Sequence, residues 1–233
     1  MKNCILAFSL AISCYNLPAR PVKVITADTI STATQSIKKG ELTLTFMNTA
    51  SWFSPVTKQR LIDAFFKVYP LEIKEYNKKS LREVTFVIDT SYKGVAATGH
   101  GVVHFNPEWF VKHPEDIDVV THEVMHIVQN YGDKGGPGWL TEGIADYARY
   151  QFGINNEQAG WSLTPFKPTQ NYTNAYRITA RFLVWLEKNK RKGIVKKLDR
   201  HMRDGTYTPG LWVKLTGSTV DVLWKEYSTN PAI

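Results

Sequence analysis

The stretch THEVMHIVQ, residues 121–129, carries most of the information about the fold of this chain. It contains the pattern H-E-x-x-H, in which His122 and His126 are four positions apart. Residues at this spacing lie on one face of a helix, so the two imidazoles can bind a single cation. Glu123 lies beside them, within reach of the attacking water without itself being a ligand. The pattern therefore predicts a helix that carries a catalytic zinc site.

The third ligand must come from elsewhere in the chain, because a catalytic zinc usually has three protein ligands and an open position. We favour Glu142, since a glycine-rich turn at 132–138 can bring a second helix back across the first. Gly143 would let these two helices approach closely. The alternative for Glu142 is an acid at a helix N-terminus, where the helix dipole favours negative charge.

Asp146 lies one turn beyond Glu142 on the same helix face. We predict that its carboxylate accepts the free N–H of a ligand histidine; an exposed polar residue is the alternative. The residues that flank the H-E-x-x-H pattern are apolar, which favours metal binding over a chance pattern on a solvated face. Glu157 and Asp133 are the next candidates for the third ligand.

Strands come first in the chain and helices afterwards, which predicts an α+β fold. Alternating or short apolar runs predict strands at 42–47, 84–88 and 102–105. Ser54 followed by Pro55 predicts the start of a first helix. Later helices are expected at about 107–113, 118–131 (capped by Asp116 or Asp118), 139–152, 175–188, 195–202 and 219–227.

The first residues differ in kind from the rest. Lys2 precedes an apolar run from Cys4 to Ile12, which is typical of a secretory signal. Two cleavage sites remain open: ordinary cleavage near Ala19, and lipoprotein cleavage before Cys14, which would leave a lipid anchor.

The 233 residues therefore divide into a signal peptide at 1–19, a linker at 20–40 and a metallopeptidase-like domain at 41–233. Both cysteines lie in the leader region, so we expect no disulfide in the domain. The composition, with 43% hydrophobic and 21% charged residues, is that of an ordinary globular protein. We expect a monomer that is secreted or held in the cell envelope.

The net charge of +8 favours acidic partners such as anionic glycans and cell envelopes. The densest basic run, 188–197, fits a helix C-terminus, and no nucleic-acid motif accompanies it, so we expect no nucleic-acid binding. No apolar run approaches the ~20 residues that a membrane-spanning helix needs. Membrane contact is expected only through a lipid at Cys14.

Three segments of the sequence are distinctive: THEVMHIVQ (121–129), GPGWLTEGIADYARY (136–150) and AYRITARFLVWLE (175–187). They resemble the basic secretory protein family, peptidase-like proteins of plants and bacteria. WLTEGIADY, within the second segment, is also similar to the third-ligand helix of thermolysin-like peptidases and zinc aminopeptidases. Carried over residue by residue, the resemblance implies that Glu142 is the third zinc ligand and Asp146 its supporting acid. The resemblance covers roughly residues 42–227.

The resemblance also implies a thermolysin-like metallopeptidase fold. We expect a small antiparallel or mixed N-terminal sheet with helices, an antiparallel edge strand above the cleft, the H-E-x-x-H helix below it and a helical C-terminal lobe. Two features depart from the related families. The interval between His126 and Glu142 is shorter than in thermolysin, and the GxMEN-type substrate motif of the aminopeptidases is absent from this sequence. The second departure argues against an obligate aminopeptidase.

These features predict a secreted zinc metallopeptidase that acts on peptides or proteins, glycoproteins included. Glu123 would take a proton from the attacking water and deliver it to the leaving amine. Tyr176 is the candidate for stabilising the oxyanion, with a core tyrosine as the alternative. The strand at 102–105 is the candidate edge for peptide binding, and its His104 faces either the cleft or solvent.

Two other functions remain open from the sequence. One is a binding protein that keeps the metal site, turns over no substrate and attaches to glycans through its basic surface. The other is a zinc hydrolase of a non-peptide substrate. Because Glu123 is intact, the residues of the site favour the peptidase.

Overall fold

The structure, a computed structural model, describes residues 33–133 and 135–233 of the chain. Within this part, five strands form one sheet in the order β1-β2-β3-β5-β4. The strands are β1 (Ala33–Lys39), β2 (Leu42–Asn48), β3 (Glu83–Ile88), β4 (Ala96–Gly99) and β5 (Val102–Phe105).

Eight α-helices accompany the sheet in the described residues, so the predicted α+β class is confirmed. A 3-10 turn at Tyr172–Asn174 precedes the helix at Tyr176–Asn189, and the helix at Gly210–Thr216 was not predicted from the sequence. None of the described helices is long and apolar enough to span a membrane. The helices are α1 (Pro55–Glu75), α2 (Pro107–Lys112), α3 (Val119–Gln129), α4 (Gly138–Phe152), α5 (Tyr176–Asn189), α6 (Ile194–Arg203), α7 (Gly210–Thr216) and α8 (Val220–Thr229).

The sheet is mixed. β2 is parallel to β3 and β3 to β5, whereas the outer pairs β1–β2 and β4–β5 are antiparallel. The predicted alternation is confirmed along β2, where Leu42, Leu44 and Phe46 are buried and the residues between them are partly exposed. One face of the sheet therefore contributes to the hydrophobic core.

The first helix, α1, packs against this core. Ser54 caps it by accepting a hydrogen bond from the backbone N–H of Thr57 at 3.2 Å, as the sequence predicts. Pro70 lies inside the helix without ending it. On the buried face, the ring of Phe65 lies 5.4 Å from that of Phe86 in β3, so aromatic contacts join the helix to the sheet.

The linker prediction was wrong at its C-terminal end. Residues 33–39 form β1, which pairs with β2 from Ala33–Asn48 to Lys39–Leu42. Most side chains of this edge strand are exposed, so the apolar alternation that identifies a half-buried strand is missing. The predicted signal peptide, the lipoprotein site at Cys14 and the first part of the linker lie outside the described residues.

The sheet edge next to α3 is β4 rather than the predicted 102–105 strand. β5 lies between β3 and β4, so the prediction that it forms the edge was wrong. β4 has the sequence AATG, whose small residues give a weak strand signal. A sharp turn joins the two strands, with positive φ at His100 (50°) and Gly101 (78°).

α3 begins where the sequence predicts, but the acid at its start has another role. Asp118 is the N-cap residue, yet its side chain makes no capping hydrogen bond. Its carboxylate instead accepts from the backbone N–H groups of Ile154 at 2.8 Å and Asn155 at 2.5 Å. Asp118 therefore holds the loop after α4 against the start of α3, close to the predicted site.

Candidate metal centre

α3 and α4 bring the predicted ligands together. Asn130 ends α3 in a left-handed conformation, with φ of 43°, which asparagine adopts more readily than most residues. Val124 of α3 and Ile144 of α4 are fully buried. With these apolar faces in the core, the two histidines of α3 face Glu142 of α4.

Three ligand-type atoms converge at this point. His122 Nε2 lies 3.2 Å from both His126 Nε2 and Glu142 Oε2, and His126 Nε2 lies 3.6 Å from the same oxygen. A tetrahedral zinc with bonds of about 2.0–2.2 Å keeps its ligand atoms roughly 3.3–3.6 Å apart. The spacing therefore fits zinc, and this is the one such group of three among the described residues.

Carboxylates set the protonation of the metal-free site. Burial would lower the pKa of His122, but hydrogen bonds to Asp146 and Glu142 outweigh burial and raise that pKa to about 10. Burial would raise the pKa of Glu142, whereas contacts with His122 and His126 hold it well below its usual range. Glu142 is therefore ionised, as a carboxylate ligand must be, and a metal cation can replace the proton of His122.

Each histidine has a partner on its other ring nitrogen. His122 Nδ1 lies 2.7 Å from Asp146 Oδ1, the contact that the sequence analysis expects. His126 Nδ1 lies 2.7 Å from Gln129 Oε1, and Gln129 Nε2 donates to the carbonyl of Thr141 at 2.9 Å. These acceptors favour the tautomer whose Nε2 lone pair is available to a metal. Gln129 was not predicted from the sequence, although a residue three positions after His126 lies on the same helix face.

Glu123 lies beside the ligand group without belonging to it. It is 6% exposed and lines the same cleft as the ligands. Its Oε2 accepts a hydrogen bond from the hydroxyl of Thr98 at 2.6 Å. Glu123 directly follows His122, so its side chain projects about 100° around the helix axis from that of His122. This accounts for its position beside the ligand group and outside it.

Tyr176 also lines this cleft. Its ring stacks on that of His122, with centroids 6.1 Å apart, and at 54% exposure it is not a core tyrosine. Ala175 and Tyr176 both have positive φ, 63° and 49°, a strained conformation that is often found at functional sites. The negative charge of Glu142 and burial raise the pKa of Tyr176, so its hydroxyl keeps its proton at neutral pH.

The other candidates from the sequence lie away from the ligand group. His104 Nδ1 is 2.9 Å from Asp89 Oδ2, and His104 is not among the residues that line the cleft. Glu157 and Asp133 are exposed and take no part in the three-ligand group of the described residues.

Gly143 has a different close neighbour from the one expected. A Cβ atom at this position would lie 2.2 Å from Cγ2 of Thr179, which belongs to α5. We expected Gly143 to allow α4 to approach α3 closely. That prediction was wrong, because the close neighbour of Gly143 is Thr179 of α5. The absence of a side chain instead lets α5 pack on α4, beside Glu142.

The ligand group lies in an open cleft of about 1080 Å³. Residues 94–98, within and just before β4, line it together with residues of α3 and α4. Trp109 and Trp161 line another part, where Arg149 pairs with Asp116 and lies 4.5 Å from the centre of the Trp161 ring. The cleft therefore combines a strand edge, the candidate metal centre and an aromatic region.

A sheet edge against an H-E-x-x-H helix, followed by a helix with a third ligand-type residue, defines a metallopeptidase-like protein. The chain belongs to the family described as peptidase of plants and bacteria, which matches residues 31–227, so the resemblance to the basic secretory proteins is confirmed. No protein with a curated description matches the chain.

Solved structures resemble this chain at low sequence identity. An aminopeptidase N family protein from Idiomarina loihiensis has a TM-score of 0.51 at 10% identity, covering 84% of this chain and 46% of that chain. A mutant M1 zinc metallopeptidase from Deinococcus radiodurans has 0.46 at 13% identity, covering 86% and 52%. This chain thus spans about half the length of these proteins. The likeness to the Idiomarina protein, with a TM-score above 0.5, concerns the fold alone.

Proposed function

We propose that the protein is an exported zinc-dependent peptidase. Membership of a peptidase family implies a peptide or protein substrate. The observation that carries the zinc-dependent reaction is the convergence of three ligand atoms with Glu123 beside them. Export to the medium or the cell envelope is supported by the signal-like residues 1–19.

His122, His126 and Glu142 would hold the zinc in this proposal. When bound, zinc polarises the scissile carbonyl and acidifies water. Asp146 and Gln129 hold the two imidazoles in the orientation that metal binding requires. The open side of the cleft leaves room for water and substrate at the fourth position.

Glu123 supplies the proton transfers. Its side chain is near the ligand group yet outside it, which suits a base that acts on water rather than on metal. Among the described residues, only its Oε2 has a hydrogen-bond partner, Thr98, so Oε1 can accept the proton of the attacking water. Glu123 then delivers this proton to the leaving amine.

Tyr176 is proposed to stabilise the developing oxyanion. Its place beside His122 and its protonated hydroxyl support this role, because an O–H donor is needed where negative charge develops. The proposal includes a thermolysin-type arrangement, in which the helices after α4 form the second side of the cleft.

β4 is the strand to which an extended peptide would add. Among the described residues it is an outer strand of the sheet with one edge unpaired, which is called the open edge below, and residues 94–98 line the cleft. Strand addition binds the substrate through its backbone, whatever its side chains. A wide range of peptides is therefore compatible with this part of the site.

The test is turnover of a mixed peptide or casein library by metal-free protein and by protein reloaded with zinc. The proposal predicts cleavage by the reloaded protein alone, lost with chelator and restored by zinc. Zinc-loaded protein that cleaves no peptide would contradict the proposal and favour a binding protein or a hydrolase of another substrate.

A further inference from the structure

The backbone of β4 alternates between its neighbour β5 and the open edge. The N–H of Asn106 donates to the carbonyl of Val95 at 3.1 Å, so these two residues form a hydrogen-bonded pair. In the same register, Ala97 pairs with His104 and Thr98 pairs with Val103. Hydrogen-bonded and non-hydrogen-bonded pairs alternate along an antiparallel ladder. Thr98 is therefore in a non-hydrogen-bonded pair, and its own N–H and C=O point away from β5, to the open edge.

Tyr92 provides independent support for this alternation. Its hydroxyl donates to the carbonyl of Ala96 at 2.9 Å, so Ala96, two residues before Thr98, also directs its carbonyl away from β5. Because Tyr92 already occupies the Ala96 carbonyl at this edge, a peptide that adds here would meet the backbone of Thr98 rather than that of Ala96.

The side chain of Thr98 makes a different contact. Its hydroxyl lies 2.6 Å from Glu123 Oε2 and 3.1 Å from the Glu123 carbonyl oxygen. A hydroxyl has one hydrogen, and the shorter contact to the carboxylate is the stronger bond. Thr98 thus contacts the candidate base with its side chain and presents its backbone at the strand edge.

We infer that Thr98 is a positioning residue for Glu123, an inference that rests on the proposed peptidase function. The hydroxyl holds Oε2 and so fixes the carboxylate rotation that presents Oε1 to the attacking water. General-base catalysis requires this oxygen within about 2.6–3.2 Å of the proton that it takes. Thr98 itself contacts none of the reacting atoms.

Thr98→Val is the main variant, because it removes the hydroxyl and keeps a β-branched side chain on the strand. The expected result is a loss of about tenfold in kcat, since a displacement of about 1 Å at a reacting group can cost on the order of 100-fold and Thr98 makes only one of the contacts that hold Glu123. KM should stay within about twofold, because the backbone edge that binds substrate is unchanged. Thr98→Ser restores the hydroxyl and should recover most of the wild-type kcat.

Two controls separate positioning from folding. Thr85→Val makes the same change on β3, where the described structure gives the side chain no hydrogen-bond partner, and should leave kcat unchanged. Turnover is expressed per mole of zinc-loaded protein, so that a loss of metal is not counted as a loss of kcat. If Thr98→Val folds poorly, Thr98→Ala is used instead, because it also removes the hydroxyl.

The deciding measurement adds Thr98→Val to Glu123→Gln. If Thr98 acts through Glu123, the double variant turns over as slowly as Glu123→Gln alone. Three results would each overturn the inference. They are wild-type kcat in Thr98→Val, equal losses of kcat in Thr98→Val and Thr98→Ser, and a further tenfold loss of kcat in the double variant. These three results concern Thr98 alone, because the wild-type protein still cleaves peptides in each of them. If the zinc-loaded wild-type protein were inactive, the proposed peptidase function would be wrong, and this inference with it.

Discussion

His122 Nδ1 lies 2.7 Å from Asp146 Oδ1, although the two residues are 24 positions apart in the chain. The contact joins α3 to α4 and directs Nε2 of His122 to Glu142. His126 has the corresponding contact with Gln129 on its own helix. A metal at this centre would thus have both imidazoles oriented before it binds.

Loss of either acceptor should weaken zinc binding. We expect Asp146→Ala and Gln129→Ala each to lower zinc affinity about 10–100-fold, the usual effect of removing a hydrogen-bond partner of a ligand. Competition with a chelator of known affinity measures this. The control is Gln151→Ala, at an exposed position of α4. Equal zinc affinity in wild type and all three variants would contradict the assigned role of these contacts.

The ligand itself should matter more than its supporting acid. Glu142→Ala removes a ligand atom, so zinc affinity should fall by more than roughly 100-fold, the upper end for supporting residues. Glu157→Ala and Asp133→Ala should bind zinc as wild type does. Zinc affinity that survives in Glu142→Ala and is lost in one of the other two would move the third ligand to that residue.

Zinc affinity should rise with pH. The metal-free protein holds a proton on His122 up to a pKa of about 10, and zinc must displace it because only neutral imidazole binds metal. We expect an increase of about tenfold per pH unit between roughly pH 6 and 8, and hence lower activity in mild acid. Asp146→Ala removes a hydrogen bond that raises this pKa, so its affinity should depend less on pH; pH-independent binding by wild type would refute this linkage.

Gly143 should tolerate no side chain. A Cβ would meet the fully buried Thr179 at 2.2 Å, and overpacking of this kind typically costs about 1–3 kcal/mol. Gly143→Ala should lower the free energy of unfolding by about that amount. Gly138→Ala, where a Cβ meets nothing within 4 Å, is the control, and equal stability of the two variants would contradict the packing described here.

Local patterns predicted the parts of the molecule that depend on local sequence. The four-residue spacing of His122 and His126 places both on one helix face wherever that helix lies. The alternation of Leu42, Leu44 and Phe46 identified β2, and Ser54 identified the start of α1, since each signal is contained within a few residues.

Features set by distant contacts were missed or given the wrong partner. β1 and β4 are strands because they pair with β2 and β5, while their own residues, Ile37 apart, are polar or small. The contact between Thr98 and Glu123 spans 25 positions, and no local pattern indicates it. Gly143 was correctly expected at a close approach, but only the packing of α5 shows that its neighbour is Thr179.

The central claim, that Glu123 is the general base of a zinc peptidase, is tested most directly by Glu123→Gln. Turnover of a peptide library is compared between the zinc-loaded variant, wild type and Glu108→Gln, the same change at an exposed position of α2. The variant should fold and bind zinc normally and lose about 10²–10⁴ in turnover, while Glu108→Gln keeps wild-type turnover. Cleavage by Glu123→Gln at the wild-type rate would show that Glu123 is not the base and that the proposed mechanism is wrong.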